Sequence, residues 1–329
     1  MTSLIVIVAP VLWLLLLSRL EAAVTEDPTT FHSSVRYIQE EEFDIGFVTS
    51  LKVLTEPIQA LQSKYQKIEV YQSVAASTDV SSSHFGKILL LDDNIQLTEN
   101  DAPAYNEMMA HVPMMAHRNP KRVLVIGGGD GYVLAEILKH PSVTHVDHVE
   151  LDEGVIQVSK EHFWWTKDIW NDSRVTLHLT DGAHFVRSAP DGYYDVIVQD
   201  SSDPEVVEED GSTVTVLPSS VLYENQHFKE VYRILSEGGI FVFQAETYNI
   251  PSSLKGMREW RKLALKTGFE TVKYATIAIP TYSTGQIGMY FCQKRGQGND
   301  INDSNLLQQR FESLSGKPTI YYHPPLQKR

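Results

Sequence analysis

The amino-acid sequence predicts an α/β protein in which a small N-terminal antiparallel β domain precedes a doubly wound parallel sheet. Two observations carry this reading. Between Val35 and about Glu99 the pattern is largely strand-like, whereas after Pro120 short apolar runs alternate with helical stretches. In the first region KIEVYQSV (Lys67 to Val74) alternates with period two, and the apolar run Ile88 to Leu91 leads into the turn Asp92, Asp93, Asn94. A helix rich in Met and Ala is expected from about Tyr105 to Val112, ended by Pro113, because the residue before a proline is driven out of the helical region. Met108, Met109, Met114 and Met115 read as core packing. The expected parallel strands are Val123 to Ile126, Val143 to Glu150, Val175 to Leu179, Tyr194 to Gln199 and Ile240 to Gln244, with helices starting near Val133, Gly154, Ala183, Gln226 and Ser253. The expected division is a leader over 1–23, a β domain over 35–118, a Rossmann-like domain over 119–295, and a polar tail over 296–329, ordered only in part.

Composition narrows the partners. The 329 residues carry 28 Lys and Arg against 42 Asp and Glu, a net charge of −14 that disfavours nucleic acid and anionic membranes and suits a cationic substrate. Cys292 is the only cysteine, so no intramolecular disulfide can form, and its apolar run reads as a buried strand. The 12 histidines show no metal-ligand spacing, and no metal is expected. At the N-terminus Leu4 to Leu17 is apolar but short for a bilayer, and reads as a secretory signal peptide cleaved near Ala23, with an uncleaved signal anchor as the alternative. Asn171 and Asn302 begin Asn-x-Ser triplets that could be glycosylated on that route.

The chemistry concentrates at strand ends. VLVIGGGDG is a strand running into a glycine turn, where a missing Cβ lets the backbone approach a ligand, and a helix N-terminus with free N–H groups follows. Glu150, ending the next strand, can accept both hydroxyls of a ribose. Asp130 stands where a pyrophosphate would need neutral or positive surroundings, and so argues for a cationic ligand group. In a doubly wound sheet ligands bind outside the carboxyl ends of the strands, so Asp130, Glu150, Asp181 and Asp200 should converge on one crevice. In DVIVQDSSDP, Asp200 and Asp203 are close enough to repel; at least one pKa should rise unless a cation, such as an amine, lies between them. The same residues also read as an Asp/Ser turn bonding its own backbone.

The stretches KYQKIEVYQS, LDDNIQLTENDAPAYNEMMAHVP, VLVIGGGDG, HVELDEGVIQVSK, TDGAHF, DVIVQDSSDP, GGIFVFQAE and IPTYSTGQIG together resemble the polyamine aminopropyltransferases, and spermidine synthases most closely, from about Tyr65 to Lys294. The resemblance implies a Rossmann-like methyltransferase fold with an N-terminal β domain. It also implies transfer of an aminopropyl group from decarboxylated S-adenosylmethionine to an amine such as putrescine, with methylthioadenosine released and no prosthetic group or metal. By the same resemblance Gln66, Asp130, Glu150, Asp181 and Gly182 would hold the donor, Asp200 would take the proton, and Tyr105, Asn106, Asp203, Gln244 and Tyr282 would position the amine. A homodimer or homotetramer is implied too.

Departures from the family pattern cluster around the acceptor and lid. Tyr132 stands where a glycine is usual, Asn106 where Gln or His is common, and Asp101, Ala102, Pro103 replace an acidic element. After DSSDP a longer segment carries Glu205, Glu208, Glu209 and Asp210, and a usual Trp is missing around Phe43 to Phe47. Two alternatives follow: a putrescine N-methyltransferase type of enzyme using S-adenosylmethionine, and a secreted, non-catalytic polyamine- or nucleoside-binding homologue.

Overall fold

A computed structural model describes residues 35–42, 47–74, 85–207, 214–216, 218–251, 253–296, 303–316 and 318–328. Residues 1–34, which include the expected leader over 1–23, positions 43–46, the lid residues Glu208, Glu209 and Asp210, and Asn302 therefore lie outside the described residues.

The N-terminal region pairs strand β1 (Val35–Glu42) with β2 (Phe47–Leu54) in a hairpin. A four-stranded antiparallel sheet follows, from β3 (Gln59–Gln62), β4 (Lys67–Gln72), β5 (Lys87–Leu91) and β6 (Asn94–Thr98) in sequential order. Asp92 and Asp93 make the β5–β6 turn with φ of 47° and 66°. Two successive left-handed residues match the twist of a tight hairpin, and Asp tolerates that conformation better than most residues.

Helix α1 (Ala102–Ala116) comes next and runs straight through Pro113, not stopping before it. Proline inside a helix costs about 3 kcal/mol. Here it is offset by burial of the helix on all sides, with Met109, Met114 and Met115 each 0 % exposed. These methionines share one core with Val123, Val125, Val196, Val198 and Val242, so α1 packs beneath the large sheet.

That sheet has seven strands in the order β14-β15-β13-β10-β7-β8-β9. β7 (Arg122–Gly127), β8 (His145–Glu150), β9 (Val175–Leu179), β10 (Tyr194–Asp200) and β13 (Leu235–Ala245) are parallel. β14 (Thr271–Ala278) and β15 (Gln286–Gln293) add an antiparallel edge, and Cys292 is buried in β15. Between the strands lie α2 (Tyr132–Ile137), α3 (Glu153–His162), α4 (Gly182–Ser188), α5 (Asn225–Ile234) and α6 (Ser253–Thr267). The chain leaves β7 toward β8 and β9, then returns to β10 on its other side, which puts the crevice of a doubly wound sheet at the ends of β7 and β10.

After Asp200 a short hairpin forms from β11 (Glu205–Val207) and β12 (Val214–Val216). Within the expected tail, residues 303–316 and 318–328 are described and docked on the domain. Helix α7 (Ser304–Glu312) packs Leu307 into the main core, and buried Glu107 of α1 accepts the backbone N–H groups of Ile320, Tyr321 and Tyr322 at 2.6–2.8 Å. Polar composition had hidden this, because the carboxylate that satisfies the tail lies in a distant helix.

Candidate active site

The glycine turn after β7 is built for close approach. Gly127, Gly128 and Gly131 have φ of 76°, 65° and 78°, a region that strains any residue with a Cβ. A Cβ on Gly127 would stand 2.1 Å from the Asp200 carbonyl oxygen, and one on Gly129 would stand 2.9 Å from Glu150 Oε2. The turn is thus pressed against the ends of β8 and β10, and the Gly128 N–H donates to the Asp200 carbonyl at 2.7 Å. Asp130 does not leave the following helix N-terminus free, since its Oδ1 accepts the Tyr132 N–H at 2.9 Å.

A tryptophan-rich run that the sequence left without a role buttresses this turn. Trp165 Nε1 donates to the Asp130 carbonyl at 2.9 Å, and Trp170 Nε1 donates to His148 Nδ1 at 2.9 Å. With Nδ1 occupied as an acceptor, His148 Nε2 carries the proton and donates to the Gly127 carbonyl at 2.8 Å. Burial pushes the His148 pKa down to about 4, keeping the ring neutral. The Tyr132 ring is 1 % exposed and stacks on Trp165 at 4.6 Å, within the core shared with the β domain.

Three of the four expected carboxylates interact strongly. Asp130 is pushed up to about 6 by burial, opposed by the Tyr132 N–H. Glu150 is pushed up to about 7 by burial, opposed by the N–H bonds it accepts from Asp152 and Leu151, with smaller repulsion from Asp152 and Asp130. Asp200 is pushed up to about 7 by burial and then by Asp130, with Glu150 adding to the effect. The repulsion expected within the Asp200–Asp203 turn thus arises across the crevice. Among the described residues no ion pair reaches these three groups. Such a cluster favours a bound cation. Asp181 lies one strand further out, after β9, and caps α4 by accepting the His184 N–H at 2.6 Å. Gly182 beside it has no room for a side chain, since a Cβ would meet Ile126 at 2.5 Å.

Gln66 reaches the same rim from the β domain. Its Nε2 donates to Asp152 Oδ2 at 3.0 Å, and the Ser63 hydroxyl donates to the same oxygen at 2.6 Å. Asp152 also caps α3 through the Gly154 N–H, so this carboxylate, absent from the sequence reading, ties the two domains together.

On the other side of the crevice the Tyr105 hydroxyl donates to Asp200 Oδ1 at 2.8 Å and lies 3.4 Å from Gln244 Oε1. Gln244 Nε2 in turn donates to Asp203 Oδ1 at 2.9 Å. Two hydrogen-bonded pairs, Tyr105 with Asp200 and Gln244 with Asp203, therefore stand side by side. Tyr223, missed in the sequence, stands beside them, with its hydroxyl 3.5 Å from Ser201 Oγ and 3.4 Å from the Gln244 carbonyl. The Tyr282 hydroxyl donates to the Gln96 carbonyl at 2.8 Å. Asn106 is buried on α1, where its Nδ2 donates to the Ala102 carbonyl at 2.9 Å and its Oδ1 has no protein partner. Cys292 is no nucleophile, since burial raises its thiol far above neutrality.

Comparison with known proteins agrees with this architecture. Residues 102–303 match the spermine/spermidine synthase domain. The chain is 37% identical over 284 residues to spermidine synthase 1 of Pisum sativum, covering 84% of this chain and 77% of that protein. It is also 36% identical over 283 residues to putrescine N-methyltransferase 1 of Nicotiana tabacum, covering 83% and 70%. Among solved structures, a spermidine synthase in complex with the transition-state analogue AdoDATO superposes with a TM-score of 0.74 at 26% identity, over 89% of this chain and 90% of the other. With the glycine turn, the strand-end carboxylates and the sheet order all in place, the chain belongs to the spermine/spermidine synthase family.

Proposed function

We propose that the protein transfers the aminopropyl group of decarboxylated S-adenosylmethionine to a primary amine such as putrescine, releasing methylthioadenosine. The observation that carries this is Asp200, a half-buried carboxylate at the end of β10 whose pKa is pushed up to about 7, held by Tyr105 and facing the charge of Asp130. An alkylammonium has no lone pair, so the acceptor must lose a proton before it can attack. A base with a pKa near the working pH is suited to that transfer. As Asp200 takes the proton, the nitrogen lone pair bonds to the aminopropyl carbon and the carbon–sulfur bond breaks. Its electron pair passes to the sulfonium sulfur, which becomes the neutral thioether of methylthioadenosine.

In this reading Glu150 accepts the ribose hydroxyls, with Gln66, Asp181 and Gly182 completing the nucleoside site. Asp130 takes the aminopropyl ammonium, and Tyr105, Gln244, Asp203 and Tyr282 align the amine. Alignment alone is worth several kcal/mol of the roughly 7–11 open to ideal positioning. A second reading, methyl transfer from S-adenosylmethionine, is favoured by the likeness to putrescine N-methyltransferase 1. The charge of Asp130 opposes it, because that donor would bring a carboxylate to the same place.

Incubation of the protein with putrescine and each donor in turn, read by mass, tests the assignment. Spermidine and methylthioadenosine from the decarboxylated donor support aminopropyl transfer, a methylated amine from S-adenosylmethionine supports the second reading, and no product from either overturns both. Passage through the secretory route is proposed from Leu4 to Leu17, and N-terminal sequencing of the protein from expressing cells tests it. A homodimer or homotetramer is proposed from the family, with light scattering as the check.

A further inference from the structure

We infer that Asp101 is a positioning residue for the transfer: its buried carboxylate locks the Tyr282 loop to the start of α1, so that Tyr105 and Tyr282 act from one frame. The inference rests on the aminopropyl-transfer reading above. Asp101 is the N-cap of α1 but makes no side-chain cap bond. An N-cap carboxylate ordinarily accepts the N–H of the second or third helical residue. Pro103 is the second here and has no N–H, and the Ala104 N–H goes to the Asp101 carbonyl instead. The carboxylate is thereby left to bond elsewhere.

It joins three chain segments. Oδ1 accepts the Thr98 hydroxyl at 2.6 Å, while Oδ2 accepts both the hydroxyl and the backbone N–H of Thr281. All three residues are buried: Asp101 is 8 % exposed, Thr98 0 % and Thr281 2 %. Thr281 directly precedes Tyr282, whose hydroxyl returns to the Gln96 carbonyl at 2.8 Å, on the strand that carries Thr98. A closed ring of hydrogen bonds thus links β6, the start of α1 and the Tyr282 loop. Tyr105 lies one helical turn beyond Asp101 and donates to Asp200 at 2.8 Å. Donor residues Asp130 and Glu150 stand on other segments, outside the ring.

The test uses the full-length protein and first establishes turnover of the wild type with decarboxylated donor and putrescine; no turnover overturns the functional reading itself. Thr281→Val removes one hydroxyl at nearly constant volume and is expected to lower kcat/KM for the amine by roughly ten- to hundredfold, as small misplacements do. Asp101→Asn is expected to do the same. Affinity for methylthioadenosine, measured by titration calorimetry, should stay as in wild type in both. Thr281→Ser, which restores the hydroxyl, should recover the amine kcat/KM. Amine kinetics unchanged in both Thr281→Val and Asp101→Asn would overturn the inference, as would equal losses of amine kcat/KM and nucleoside affinity, which mark a general structural role.

Discussion

The two sides of the crevice are assembled differently. The proposed donor side draws on one nearly continuous stretch, from the glycine turn at Gly127 through Glu150 to Gly182, with Gln66 the single reach from the β domain. The proposed acceptor side collects Tyr105 from α1, Asp203 from the turn after β10, Gln244 from β13 and Tyr282 from the loop before β15. A site made of consecutive strand ends tolerates little change, because each residue also closes a turn or caps a helix. A site made of distant segments can alter one contributor and keep the rest, so selectivity can drift there while the donor is retained.

The sharpest test of this division is Asp200, which serves both sides. Asp200→Asn should lower kcat by about 10²–10⁴, the range for loss of a general base. Nucleoside binding should persist, as calorimetry can check. A variant with wild-type kcat would remove Asp200 from the proton transfer.

Glu150→Gln should act on the donor side alone. Replacing a charged hydrogen-bond acceptor should weaken donor binding by roughly ten- to hundredfold, with the KM for amine nearly unchanged. Parallel changes in both constants would break the comparison.

Tyr105→Phe should act on the acceptor side, lowering kcat/KM for the amine by roughly tenfold. It should also move the pH profile. The Tyr105 hydroxyl stabilises ionised Asp200 and lowers its pKa, so kcat/KM, expected to fall below about pH 7 in wild type, should begin to fall at a higher pH in the variant. A limb displaced to lower pH would contradict the hydrogen bond as described.

The smallest expected effect is on stability. Glu150 is raised from 4.5 to about 7 in the folded protein. Its protonated form is therefore favoured by folding, a stabilisation present below pH 4.5 and lost as pH rises through 7. Above pH 7 the ligand-free site carries repelling carboxylates. Glu150→Gln should accordingly raise the Tm at pH 8 by roughly 2–4 °C, the size of a 1 kcal/mol change, and should lose that advantage at pH 5. Thermal scans at the two pH values check the sign.

Much of this was legible in the sequence. The glycine turn, the parallel strands and the carboxylates at their ends follow from short-range patterns, since strand period and backbone freedom are local properties. The misreadings have local causes as well. Pro113 was given its usual effect on a helix end, which core burial overrode. A side chain's direction depends on the packing around it, and here Trp165 fixes the Tyr132 ring and the Ala102 carbonyl holds the Asn106 amide. The docked tail was invisible because Glu107, which holds it, is far away in the chain.

By itself, then, the sequence determined the sheet, the turn and which carboxylates end the strands, through residue spacing that the backbone must obey. Only the tertiary structure decided that Tyr105 meets Asp200, that Gln244 meets Asp203, and that Asp101 holds Thr281. Those contacts join residues far apart in the chain, and the large sheet with α1 beneath it is what brings them within hydrogen-bond range. It also sets the pKa of Asp200, because burial and the charges of Asp130 and Glu150 exist only once the strands lie side by side.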